Sequence, residues 1–263
     1  MSFYHQVGLG DDQKTIKQLV DNILTTQSLA GLGHTNMSQT YDASVGRNKN
    51  VFFSYLLPYR TTEKSVIYKG ETCEIPLLTL EFDNLPSNSY GDLDWIVLGK
   101  WFEDIYEDGT TGLKQQYKEF ADRIVDSSKV SADKAVDRYR KTLKATIQKQ
   151  FNAEDIKGNL SYIVDELIDQ SETDELSEFS KDIKSIYNKG NRNNFDLRHL
   201  QFYATGPIIF NDDFSIRTAY ATIKNDFLSS LKPVFDQYGI NLRSHGDLIQ
   251  KCKEDIKVFV QQC

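Results

Sequence analysis

The sequence predicts an α+β protein that is predominantly helical, with a small antiparallel sheet of about three to four strands in its N-terminal half. Apolar residues recur at helical spacing along most of the chain, which indicates several amphipathic helices. Between residues 51 and 82, short aliphatic and aromatic runs are interrupted by Lys69-Gly70 and by Pro76. This composition is typical of short strands joined by tight turns.

The individual elements are predicted from apolar spacing and from end residues. Helices are expected over residues 12–29, 94–109, 113–125, 131–151, 159–170 and 174–187. In the last part of the chain we expect a bent or edge strand over residues 202–210 and a helix over residues 216–231. Pro233 is expected to open a short helix, and Ser244 to cap a final one.

The domain organisation has two interpretations. A chain of 263 residues is long enough for one large domain or two smaller ones. A division would separate residues 1–112, with the N-terminal helix and the small sheet, from the mainly helical residues 113–263. No linker rich in proline or glycine marks that boundary, so a single domain is the alternative.

Composition disfavours several classes of protein. No apolar run reaches the ~18 residues of a membrane span, and residues 1–10 lack a secretory signal, so we expect a soluble cytoplasmic protein. The three cysteines are widely spaced, which argues against a disulfide framework or a zinc site. The net charge of −7 disfavours general nucleic-acid binding. No metal and no cofactor are expected.

Charge is polarised along the second half of the chain. Residues 129–149 hold seven basic and two acidic residues, whereas residues 154–182 hold ten acidic and two basic ones. The basic stretch is expected to form a helix with one basic face, which could bind RNA or an acidic partner. The alternative is that it neutralises the acidic helices beside it. The residues of this basic face are Lys134, Arg138, Lys141 and Lys149.

Two further groups of polar residues are candidate sites. Residues 31–50 form a long polar loop in which His34 and Arg47 could contact a ligand or a partner; a plain surface connection is the alternative. Paired acids at strand ends could hold Mg²⁺ for phosphodiester chemistry, or could simply form turns. These acids are Glu81 with Asp83, and Asp212 with Asp213.

His199 stands seven positions after Arg192, with six residues between them. This spacing resembles the Arg-x(4–6)-His motif of HEPN ribonucleases. The resemblance implies metal-independent RNA cleavage, in which His199 moves the proton of the attacking 2′-hydroxyl and Arg192 stabilises charge on the phosphorane. Asn193 would fill the polar position after the arginine. The alternative is a polar loop with His199 on the surface.

Two functions are therefore considered. The lack of a recognisable catalytic motif favours a protein-interaction or regulatory protein whose partner is another protein, with no membrane partner. The alternative is a ribonuclease of toxin or defence type that uses Arg192 and His199, with RNA facing the basic helix.

Overall fold

The structure is a computed structural model that describes residues 2–8, 13–30, 50–58, 64–68, 71–87, 89–92, 130–172, 201–222 and 226–262. Its helices are α1 Gln13–Thr26, α2 Ala132–Gln150, α3 Ala153–Gly158, α4 Leu160–Glu172, α5 Phe227–Gln237 and α6 His245–Gln261. Its strands are β1 Phe3–Gln6, β2 Ser28–Leu29, β3 Asn50–Tyr55, β4 Lys64–Tyr68, β5 Glu71–Ile75, β6 Leu78–Phe82, β7 Tyr90–Asp92, β8 Val130–Ser131, β9 Gln201–Thr205, β10 Ile208–Ile209, β11 Thr218–Ala221 and β12 Asn241–Ser244.

The main sheet has eight strands in the order β12-β11-β6-β1-β3-β9-β7-β8. Neighbours are antiparallel except β11 and β12, which are parallel and joined by α5, so the sheet is mixed. The prediction of a predominantly helical protein with a three- to four-stranded antiparallel sheet confined to the N-terminal half is therefore wrong. The sheet contains strands that precede residue 112 in the chain and strands that follow it. The division into two domains at this residue stays a prediction.

Several strands were missed for physical reasons that their sequences show. β1 is only four residues long and alternates buried with half-buried side chains, yet it lies in the middle of the sheet. Residues 218–221 were assigned to a helix because of their apolar spacing, but they form β11 between β6 and β12. Pro233 lies inside α5 and does not open a helix. Tertiary pairing overrides local propensity in these segments.

Other elements agree with their sequence patterns. The hairpin of β4 and β5 pairs antiparallel around Lys69-Gly70, as the turn composition predicts. α6 begins with a capping box, since the Ser244 side chain accepts from the Asp247 backbone while the Asp247 side chain accepts from the Ser244 backbone. The helices predicted over residues 94–109, 113–125 and 174–187 lie outside the described residues.

The two faces of the sheet differ in chemistry because side chains alternate along each strand. One face is apolar, and the rings of Phe53, Phe82 and Phe214 meet there. The other face carries polar groups, because Tyr4 on β1 stands opposite both Ser54 on β3 and Glu81 on β6. All three are buried, so this polar face is inside the protein.

The helix α6 covers the polar face of the sheet. The Cys252 thiol of α6 donates to the Tyr4 hydroxyl at 3.6 Å. The helix α4 packs against α6. α1 contacts α5 elsewhere in the same hydrophobic core. Among the described residues, no helix combines the length and apolar character that crossing a membrane requires.

Candidate functional site

The central feature of the polar face is a buried carboxylate, Glu81, which is 1% exposed. It lies in β6, whose five residues are all buried. The Ser2 hydroxyl donates to one carboxylate oxygen at 2.6 Å, and the Tyr220 hydroxyl donates to the other at 2.8 Å. Both oxygens are thus engaged by neighbouring hydroxyl groups, as a buried carboxylate requires.

Lys251 on α6 provides the opposite charge. Its ammonium nitrogen lies 3.3 Å from Glu81 Oε1 and 2.8 Å from Asp255 Oδ2. It also donates to Ser2 Oγ at 3.1 Å and to the Tyr4 hydroxyl at 3.4 Å. Together these contacts join the sheet to α6. We call the residues that make them the Glu81 network: Ser2, Tyr4, Glu81, Tyr220, Lys251 and Asp255.

The protonation states follow from these contacts. Burial raises the pKa of Glu81, but the hydrogen bonds from Ser2 and Tyr220 and the charge of Lys251 outweigh it, so the pKa lies below its ordinary value. Burial lowers the pKa of Lys251, but Asp255 and Glu81 outweigh it and raise the pKa. Glu81 and Lys251 are therefore both charged at neutral pH.

The two tyrosines and the cysteine of the polar face are held neutral. Burial, together with Glu81, raises the pKa of Tyr220. Burial also raises the pKa of Tyr4, and it raises the pKa of the Cys252 thiol to about 12. Because the thiolate is the nucleophilic form, Cys252 is a structural cysteine. The chemistry of this network is that of a closed structural ion pair.

The paired acids that suggested a Mg²⁺ site have other contacts. Glu81 pairs with Lys251, and Arg217 lies 2.6 Å from Asp83 and 3.9 Å from Glu81. Asp212 and Asp213 are exposed in the turn that Asn211 stabilises with its side chain. Within the described ranges, no three His, Cys, Asp or Glu residues lie close enough together to hold a metal ion.

Acid should weaken the Glu81 network. The pKa of Glu81 is lower in the folded than in the unfolded protein, so its contribution to stability is present above about pH 4 and is lost below it. We expect the free energy of unfolding to fall as pH is lowered through this range, and to fall less steeply in Glu81→Gln. Urea unfolding followed by circular dichroism over a pH series measures both slopes; equal slopes would contradict the assignment.

The basic face predicted for residues 131–151 is described in part. In α2, Ile147 is buried, Arg140 lies over the Phe259 ring at 5.6 Å, and Lys144 donates to the Gln262 carbonyl at 3.1 Å. On the opposite side, Lys134 and Lys141 are exposed. The side chains of Arg138 and Lys149 lie outside the described part, as do all of His34, Arg47, Arg192 and His199. Their roles stay predictions.

The described side chains give an ion pair of α4 and none of Lys134 or Lys141. Asp165 of α4 accepts a hydrogen bond from Lys253 of α6 at 2.7 Å. Neither Lys134 nor Lys141 has an acidic partner among the residues that the structure describes. Lys134 and Lys141 are therefore exposed charges without an acidic counterpart among the described residues.

The pairing of Glu81 with Lys251 was not predicted from the sequence. The two residues are far apart in the chain, and only the fold brings β6 next to α6. One sequence pattern indicated such a partner, since an acidic residue inside a largely apolar strand needs a cation or several hydrogen-bond donors. The identity of the cation does not follow from that pattern.

No protein-family model, no curated protein and no solved structure matches this chain. The function is therefore inferred from its own residues.

Proposed function

We propose that this chain is a non-catalytic interaction protein that binds an acidic partner protein through the basic face of α2. The observation that carries the proposal is the exposure of Lys134 and Lys141, with no acidic partner among the described residues. Arg138 and Lys149 occupy the same helical face by their spacing. A row of cations on a rigid helix steers an acidic partner and fixes its orientation.

The overall charge supports a protein partner over a nucleic acid. The chain carries a net charge of −7. The acidic helix α4 follows α2 closely in the sequence, since α2 ends at Gln150 and α4 begins at Leu160. A polyanion such as RNA meets repulsion from the rest of the molecule, whereas a partner with a local acidic patch meets only the basic face. Composition further supports a soluble protein of the cytoplasm.

Reversing the charge of the basic face tests this proposal. We expect Lys134→Glu/Lys141→Glu to weaken binding of a fluorescent polyglutamate peptide at least ~10-fold at low salt, since each lost attraction becomes a repulsion. Fluorescence anisotropy measures the dissociation constant. The matched control is Lys14→Glu/Lys17→Glu, which makes the same change in net charge at exposed positions of α1 and should leave binding near the wild-type value.

A ribonuclease assay tests the alternative function, metal-independent RNA cleavage. Labelled RNA of mixed sequence is incubated with the protein in EDTA, and the wild type is compared with His199→Ala. We expect the RNA to stay intact with both proteins. Cleavage by the wild type that is lost in His199→Ala would refute the non-catalytic proposal and establish the alternative function.

A further inference from the structure

The helices α2 and α4 carry opposite charges at the same spacing. In each helix three charged residues follow one another at positions i, i+4 and i+7, a spacing that puts them on one helical face. The basic positions of α2 are Lys134, Arg138 and Lys141, and the acidic positions of α4 are Asp165, Asp169 and Glu172. Two such helices can pair all three charges when they pack side by side.

An antiparallel alignment of these helices adds an apolar contact. When Lys141 is placed opposite Asp165, and Lys134 opposite Glu172, the next turn brings Ala145 opposite Tyr162. The Tyr162 side chain is 62% exposed, and Ala145 is exposed too. A small residue facing an exposed ring leaves room for that ring to be buried.

Within the described part of one copy, α4 packs on helices other than α2. α4 packs on α6 and α3, and the described residues show no extended contact between α4 and α2. Asp165 is bound to Lys253 but stays half exposed, so it can accept from a second cation. Lys134 and Lys141 thus have no acidic partner among the described residues, and the basic positions of α2 match the acidic positions of α4 in spacing and in opposite charge.

We propose that the partner of the basic face is a second copy of this chain, in a two-fold symmetric dimer in which α2 of each copy packs antiparallel on α4 of the other. This inference rests on the proposed function, because it names the partner of the same surface. Two-fold symmetry makes every contact twice, so both basic faces, both acidic faces and both Tyr162 rings are used.

The expected strength of this dimer follows from the kind of contact. Exposed ion pairs contribute only about 0.2–1 kcal/mol each, so the buried Tyr162 rings supply much of the attraction and the charges set the register. We expect a dissociation constant on the order of micromolar, which rises with salt because the ion pairs are screened.

Charge reversal in both helices tests the pairing directly. Lys134→Glu/Lys141→Glu makes α2 acidic, and Asp169→Lys/Glu172→Lys makes α4 basic while leaving the Asp165–Lys253 pair intact. Each variant alone should be a monomer, with a dissociation constant raised at least ~10-fold. An equimolar mixture of the two should form a heterodimer, since each acidic surface then meets a basic one. Size-exclusion chromatography with light scattering reports the mass, and circular dichroism confirms folding.

The outcomes separate the dimer from the proposed function. A wild-type protein that stays monomeric to high micromolar concentration, a dimer that both reversals leave unchanged, or a mixture that does not associate would each overturn the α2–α4 dimer. The Lys14→Glu/Lys17→Glu control should stay dimeric. If the dimer fails while polyglutamate binding still depends on Lys134 and Lys141, the proposed function stands with a different protein as partner; if both fail, both are wrong.

Discussion

Replacing Lys251 by methionine is expected to lower the free energy of unfolding by about 3 kcal/mol. The substitution keeps most of the aliphatic length of the side chain but removes the ammonium group that lies 3.3 Å from Glu81 Oε1. The carboxylate, 1% exposed, then stays buried without its nearest cation. Urea unfolding followed by circular dichroism measures the loss.

A double variant separates the ion pair from packing. Glu81→Gln/Lys251→Met has no buried charge to compensate, and the glutamine can still accept a hydrogen bond from Ser2 or Tyr220. We therefore expect it to be more stable than Lys251→Met alone, and the difference gives the coupling between the two residues. A double variant that loses the sum of both single effects would show that the two residues act independently.

Lys232 gives a control for Lys251, because its pair with Asp236 matches the pair of Lys251 with Asp255. It also stands four residues before an aspartate on a helix and lies 2.9 Å from it, but the side chains of Lys232 and Asp236 are 59% and 52% exposed. Lys232→Met should therefore change the free energy of unfolding by no more than about 0.5 kcal/mol. Both lysines pair with an aspartate four residues later, so the comparison measures what burial and the contacts with Glu81, Ser2 and Tyr4 add at Lys251.

The second large effect is expected on the apolar face of the sheet. Phe82 is fully buried, and its ring is stacked on Phe214 at 4.7 Å and meets Phe53 edge-on at 5.7 Å. Phe82→Ala should lower the free energy of unfolding by about 3–5 kcal/mol, because it removes these contacts and leaves a cavity. Chemical denaturation measures the change.

Two control variants, one conservative and one at the surface, show whether the loss of stability in Phe82→Ala comes from the buried ring. Phe82→Leu keeps most of the volume and should lose clearly less than Phe82→Ala. Ile209→Ala removes an aliphatic side chain that is 70% exposed and should change stability little. If Phe82→Ala were as mild as Ile209→Ala, the aromatic cluster would not be part of the stable core.

Elements with local signals were predictable from the sequence. α6 was placed correctly because Ser244 and Asp247 form a capping box that depends only on neighbouring residues. The β4–β5 hairpin has its turn residues between its two strands. α1 shows a clear apolar stripe, and Ile16, Val20 and Leu24 are buried as that stripe requires.

Elements that depend on distant pairing were not predictable. β11 contains two alanines, which suit a helix, and it is a strand because β6 and β12 lie on either side of it. β12 reads Asn-Leu-Arg-Ser, with one buried apolar residue, and carries little strand pattern of its own. The Glu81 network depends on the same distant pairing, since Tyr220 comes from β11 and Lys251 from the helix that follows β12.

The position of β6 has a consequence for synthesis on the ribosome. Its neighbour β1 is made before it, but its other neighbour, β11, belongs to a much later part of the chain. Until residues 218–221 have emerged, one edge of this strand lacks its backbone partner, and open strand edges recruit other chains. Such long-range closure is slow, so nascent and truncated chains that end before β11 should be prone to aggregation and should depend on chaperones.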